Sequence, residues 1–277
     1  MVIAILSLGG IGLVSAIALG VAARRFAVEV DPREAALLEL LPGVNCGACG
    51  FAGCAGYARA LAKGEVPPDL CPPGGRDVAL KLGHILGVTV TMSEPQVAVV
   101  FCQGDSRAAK AKYRYLGVTD CVAAQRLADG PKLCPGGCLG LGSCARACPF
   151  GAVEMTADGL AVISRELCTG CRKCVAACPR QVIRMAPLAA TVHVLCNSHD
   201  SGAIVRKYCT VGCIACQICV KTAPEAYRVE ERLATVIYGQ HEDVLLGLAK
   251  CPTHCILDFS AGYPEGSSFS PPRPEAA

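Results

Sequence analysis

The sequence predicts an α+β chain: an N-terminal transmembrane helix, a small helical domain built around cysteines, and then repeated units of short strands and helices. Three observations lead there. Residues Val2 to Ala23 carry no charge, 21 cysteines stand in 277 residues, and beyond residue 92 short β-branched runs alternate with cysteine-rich loops in an order that occurs twice. The chain is 52% hydrophobic with only 18% charged residues, and its mean hydropathy of +0.43 is too apolar for disorder. A net charge of +3, with its Lys and Arg scattered, argues against nucleic-acid binding. Cysteine this dense marks either a disulfide-stapled secreted domain or a metal protein, and the chain is far longer than the small domains that need stapling.

The uncharged N-terminal run decides between the two. Its 22 residues would span about 33 Å as a helix, against a hydrocarbon core of about 30 Å. Only Met1 precedes it, so the positive n-region of a cleaved signal peptide is lacking, while Arg24 and Arg25 follow at once. The positive-inside rule then puts everything downstream on the cytoplasmic side of the cell membrane. In that reducing compartment the thiols are expected to be metal ligands. Gly12, Ala16 and Gly20 form a small-residue stripe along the run that suits close packing by another membrane helix. Residues 1–25 are read as this anchor.

Residues 26–92 read as a helical domain. Asp31-Pro32-Arg33-Glu34 is a helix start, with an N-cap carboxylate, Pro at the first position and Glu placed to close a capping box. Further helices are expected over Ala52 to Lys63, ended by Gly64, and over Arg76 to Leu86, ended by Gly87. After the Ser93-Glu94-Pro95 break, Gln96 to Phe101 and Thr191 to Leu195 alternate as strands, each running into a cysteine, Cys102 and Cys196. The repeat aligns Cys134 with Cys209, Cys138 with Cys213 and Cys144 with Cys219. It divides the remainder into a first unit, 93–190, a second, 191–260, and a Gly, Ser and Pro-rich tail, 261–277.

The strongest motif is Cys168-x2-Cys171-x2-Cys174-x3-Cys178-Pro179. Three thiolates on one tight loop can take three iron corners of a 4Fe-4S cube, while the fourth serves a second cube. Structural zinc sites draw their ligands as two separated pairs instead. The facing half ends alike, in Cys144-Ala-Arg-Ala-Cys148-Pro149, but Leu141 stands where its middle cysteine belongs. Cys134, four residues before Cys138, can supply that corner. The crossed pattern of two-cluster ferredoxins then expects one cube on Cys134, Cys138, Cys144 and Cys178 and another on Cys148, Cys168, Cys171 and Cys174. Between the halves, Ala152 to Met155 and Leu160 to Ile163 flank an Asp158-Gly159 turn as a hairpin.

In the second unit Cys213, Cys216, Cys219 and Cys251 are kept, whereas Ala223, His241, Val244 and Gly247 stand opposite Cys148, Cys168, Cys171 and Cys174. The four ligands of one cube have gone together, so this ferredoxin-like unit is expected to hold a single cluster. Nearer the membrane, Cys46, Cys49, Cys54 and Cys71 make a fourth set, with Gly47, Gly50 and Gly53 between them. Spacing alone leaves zinc open there, while the apolar surroundings favour iron and sulfur. Four 4Fe-4S clusters use sixteen cysteines and leave Cys102, Cys121, Cys196, Cys209 and Cys255, which are either small apolar fillers or, for the first four, a fifth metal site. His84, His193 and His241 are read as structural or exposed, and no catalytic constellation stands out.

On these motifs the chain resembles the B subunit of the Rnf ion-translocating electron transport complex. The likeness runs through Asn45-Cys-Gly-Ala-Cys-Gly-Phe-Ala-Gly-Cys54 with Cys71, Gly137-Cys-Leu-Gly-Leu-Gly-Ser-Cys-Ala-Arg-Ala-Cys-Pro-Phe150 and Cys196-Asn-Ser-His-Asp200. It implies a cytoplasm-facing carrier that takes electrons from soluble ferredoxin and passes them to membrane and flavin subunits, with flow towards NAD coupled to sodium or proton movement. Such a chain is an electron-transfer part of a translocase with no active site of its own. Two other readings are a membrane-anchored polyferredoxin of a hydrogenase or another oxidoreductase, and a zinc-holding interaction module. The first motif is also similar to the cluster domain of corrinoid iron-sulfur proteins.

Overall fold

The computed structural model describes residues 2–25, 31–92, 94–239 and 243–260, and for residues 2–8 and 23 the backbone only. The predicted tail and His241 lie outside the described residues. Helix α1 is one unbroken element, Val2–Arg25. Among the described residues no helix is long and apolar enough to cross a membrane, and the side chains of the first seven residues of the expected span lie outside them.

The helical domain is α2 (Pro32–Leu40), α3 (Cys54–Ala62) and α4 (Gly75–Leu86). Asp31 caps α2, its side chain accepting from the Arg33 N–H at 2.8 Å. The expected capping box does not close. Glu34 turns instead to Arg59 on α3, 3.2 Å away, because α3 packs alongside and a guanidinium competes well for the carboxylate. Leu37, Tyr57, Leu61 and Leu82, all nearly or fully buried, form the shared core. Gly87, at φ +66°, ends α4 in the left-handed conformation.

The first repeated unit holds β1 (Gln96–Val100), α5 (Cys121–Arg126), α6 (Ser143–Ala147), β2 (Val153–Met155), β3 (Ala161–Ile163), α7 (Lys173–Ala176) and β4 (Ile183–Pro187). The second holds β5 (Val192–Val194), α8 (Gly202–Tyr208), α9 (Ile218–Thr222), β6 (Tyr227–Glu230), β7 (Leu233–Val236), α10 (Val244–Ala249) and β8 (Ile256–Asp258). In each, the first strand pairs antiparallel with the last, Gln96 opposite Pro187 and Val192 opposite Asp258. A hairpin closes the other end, β2 with β3 and β6 with β7. The internal repeat read from two strands and a set of cysteines is therefore a repeat of the whole strand arrangement.

The outer face of the β1–β4 pair packs against the second unit. Val97, Val99, Phe101 and Ala186 meet Leu195 and Phe259 there. His193, wholly buried, sits at this seam with its Nδ1 2.9 Å from the Tyr238 hydroxyl and its ring against Phe101 and Phe259. Its role is packing, in line with the reading of the sequence, and burial pushes its pKa down to about 4.

Candidate metal centres

All the cysteines are free thiols, and of the 21 only Cys216 is exposed. In the helical domain Cys46 and Cys49 lie on the loop before α3, Cys54 opens that helix, and Cys71 precedes α4. The Asn45 side-chain carbonyl accepts from the Cys54 N–H at 2.8 Å, and a Cβ on Gly53 would stand 2.8 Å from that same oxygen. Glycine at 53 thus lets the Asn45 bridge hold the loop to the helix. Burial raises the Cys71 thiol, and the nearby Cys49, Cys54 and Cys46 act on it in the same direction.

In the first ferredoxin-like unit Cys148 is brought to Cys168, Cys171 and Cys174. Burial and these three neighbours push the Cys174 thiol up to about 12, and the Ala98 N–H on β1 points at the Cys168 sulfur, 3.5 Å away. The other set differs from the expectation. Cys121, Cys138, Cys144 and Cys178 line one cavity, and the Cys144 thiol is pushed up to about 12 by burial and by the other three. The fourth cysteine around this cavity is Cys121 and not Cys134. The Cys121 N–H donates to the Ser143 hydroxyl at 2.7 Å, and Ser143 in turn donates to Asp120 at 2.8 Å, which ties the start of α5 to the start of α6. Leu141, the residue in place of a cysteine, packs against the small core of Cys121, Ala124 and Leu139.

Cys134 lies elsewhere, with Cys102, Cys196 and Cys209 around a cavity between the two units. Of the extra set expected on Cys102, Cys121, Cys196 and Cys209, three line this cavity and Cys121 does not, Cys134 standing there instead. The repeat carried the signal for this exchange. Cys134 aligns with Cys209, and the second unit has no need of Cys209 to complete Cys213, Cys216, Cys219 and Cys251.

Those last four line a cavity together with Cys255, which the sequence left without a role. The Cys255 sulfur is 3.5 Å from that of Cys251. Its hydrogen bonds pull the Cys213 and Cys251 thiols below the usual range and raise its own pKa. Where the second cube would stand, the Tyr227 ring takes the space. A Cβ on Gly247 would collide with that ring, the Tyr227 hydroxyl donates to the Val244 carbonyl at 2.5 Å, and Ala223 is buried in the same core.

The thiols stand around these cavities and not at a point. Among the described residues no three His, Cys, Asp or Glu side chains converge enough to hold one metal ion. Soft thiolates in fours, buried and met by backbone N–H groups, suit iron and sulfur. The fold and these sites define a multi-cluster iron–sulfur protein with 4Fe-4S centres. Family models agree along the chain: an Fe-S cluster model matches residues 41–73, a 4Fe-4S binding domain residues 160–183, and the 4Fe-4S single cluster domain of Ferredoxin I residues 210–258.

Curated relatives carry the comparison further. The B subunit of the ion-translocating oxidoreductase complex of Methanosarcina acetivorans is 44% identical over 90% of this chain and 95% of its own length. The B subunit of the proton-translocating ferredoxin:NAD(+) oxidoreductase complex of Clostridium ljungdahlii is 43% identical over 91% of this chain and 90% of its own. The Na(+)-translocating counterpart of Acetobacterium woodii is 38% identical over 90% of this chain and 75% of its own. The chain belongs to the family formed by the B subunits of ion-translocating oxidoreductase complexes, the Rnf family.

Proposed function

We propose that this chain is the membrane-anchored electron carrier of an Rnf-type complex, taking electrons from reduced ferredoxin and passing them through its clusters to membrane and flavin subunits on the way to NAD. The names of the relatives support the reaction. The observation that carries the reading is the succession of four-thiol sites along the fold, with no reactive site needed beyond them. Cys46, Cys49, Cys54 and Cys71 hold the cluster of the helical domain. Cys148, Cys168, Cys171 and Cys174 hold one cube of the first ferredoxin-like unit, and Cys121, Cys138, Cys144 and Cys178 the other. Cys213, Cys216, Cys219 and Cys251 hold that of the second unit. Cys216 is the one exposed cysteine, so this last cluster is best placed to exchange electrons with a soluble donor.

The anchor is α1. Ile11, Leu13, Val14, Ile17, Leu19 and Val21 are each more than half exposed, on several sides of the helix, and 24 residues give a length of about 36 Å. Arg24 and Arg25 at its end support a cytoplasmic position for the domains that follow. Anaerobic mixing of the membrane-bound complex with reduced ferredoxin tests the function. Reduction of the chain's 4Fe-4S signals ahead of the flavin signals is expected. Flavin reduced while the clusters stay oxidised would sink the reading. Co-purification with hydrogenase subunits in place of flavin-bearing membrane subunits would favour a polyferredoxin.

A further inference from the structure

We infer that the two ferredoxin-like units share a fifth 4Fe-4S cluster, held across their junction by Cys102 and Cys134 from the first unit and Cys196 and Cys209 from the second. The inference rests on reading the other thiol sets as cluster sites, but it concerns a place that none of the matched family models covers.

Symmetry is the first support. Cys102 and Cys196 follow the equivalent strands β1 and β5, and Cys134 and Cys209 each stand four residues before the first cysteine of the next motif. Each unit thus gives the same two positions to the cavity. The cavity is built for close approach. Cβ atoms on Gly104 and Gly212 would lie 3.6 Å from the Cys209 sulfur, and one on Gly136 would collide with the Asn197 carbonyl. Glycines here let the two chain segments of the junction approach and keep the space between the sulfurs clear. Two backbone N–H groups already point at the Cys102 sulfur, from Gly104 at 3.3 Å and Cys138 at 3.4 Å, the donors that thiolates on a cluster accept.

Charge is the second, independent support. Lys132 and Arg180 are each 8% exposed beside this cavity. Lys132 donates to the Gly104 carbonyl, and Arg180 to the carbonyls of Cys134, Pro135 and Asp129 and to the Gln125 side chain. Among the described residues neither has a carboxylate within ion-pair distance. Two buried cations answered only by neutral oxygens are costly. An oxidised 4Fe-4S cluster with its four thiolates carries about −2 and supplies the missing balance. Filler cysteines would leave Lys132 uncompensated, whereas Arg180 also lines the cavity of Cys121, Cys138, Cys144 and Cys178.

Iron, sulfide and zinc measured on the anaerobically purified full chain test this. About 20 iron atoms per chain are expected, against about 16 for four cubes. The Cys196→Ser/Cys209→Ser variant should lose a fifth of the cluster iron while the remaining signals persist. Lys132→Met, which keeps all thiols, should shift the reduction equilibrium of one cluster about tenfold towards the oxidised form and leave the others in place. Sixteen iron atoms with unchanged potentials in Lys132→Met would overturn the fifth cluster and leave the other four standing. Sixteen with one zinc would replace it by a structural ion. A colourless, zinc-filled protein would overturn both readings.

Discussion

Cys255→Val makes the second unit resemble the first at the one place where their cluster surroundings differ by a sulfur. The Leu195 N–H donates to the Cys255 carbonyl as the Phe101 N–H does to that of Val182, so the two positions correspond and valine is already accommodated at one of them. Cys255 is 2% exposed and its sulfur lies 3.5 Å from that of Cys251, which places its S–H to donate to a Cys251 thiolate that holds the cluster. A hydrogen bond to a cluster sulfur is stronger in the reduced, more negative state, so it raises the reduction potential. Hydrogen bonds to charged acceptors contribute about 1.5–3 kcal/mol, and a thiol is a weak donor. A difference of about 1 kcal/mol between the two redox states corresponds to roughly 40 mV for one electron. Cys255→Val should therefore keep its cluster and lower that potential by about 40 mV, read by EPR-monitored redox titration. An unmoved potential would refute the hydrogen bond. Loss of the signal would show that Cys255 and not Cys251 is the ligand.

Three further outcomes follow from other parts of the fold. Cys121→Ala should remove the cluster it shares with Cys138, Cys144 and Cys178, and adding Leu141→Cys should restore it, because residue 141 packs against the small core that contains Cys121; iron content and EPR of the two variants check this, and an intact cluster in the single variant would disprove the corner. Gly247→Ala drives a Cβ into the Tyr227 ring, an overpacking that costs about 1–3 kcal/mol and should lower the thermal midpoint while cluster content is unchanged. His193 is held near pKa 4, below its ordinary 6.5, so the unfolded chain takes up the proton first as pH falls. Its contribution to stability is present above pH 6.5 and is lost towards pH 4, by about 2 kcal/mol between pH 7 and pH 5. His193→Phe should flatten that part of the pH dependence in thermal unfolding.

Local chemistry made much of this architecture legible in advance. Asp31 with Pro32, Gly87 after an amphipathic run, and the Asp158-Gly159 turn each mark an element boundary through backbone preferences that need no tertiary partner. Cluster motifs are equally local, since three ligands on one loop depend only on spacing. What escaped was set by folding across distance. Glu34 had a suitable place in a capping box but found Arg59 on another helix. Cys121 is 17 positions before Cys138, and bonds between α5 and α6, from Ser143 and Arg146 to Asp120 and from Cys121 to Ser143, bring it in, so sequence proximity favoured Cys134. The role of Cys134 was open to the repeat alignment, which pairs it with a cysteine the second unit does not need for its own cube. Cys255 had no repeat partner at all, because Val182 stands in its place, and its link to Cys213 and Cys251 is visible only once β8 is paired with β5.

The central claim is that these thiols form a conducting series of 4Fe-4S clusters. Freeze-quench EPR and Mössbauer spectroscopy of the intact complex, after anaerobic addition of reduced ferredoxin, tests it most directly. The account expects 4Fe-4S signals of this chain to appear within turnover time and all its cluster iron to become reducible. Cluster iron that stays oxidised while NADH forms would contradict it.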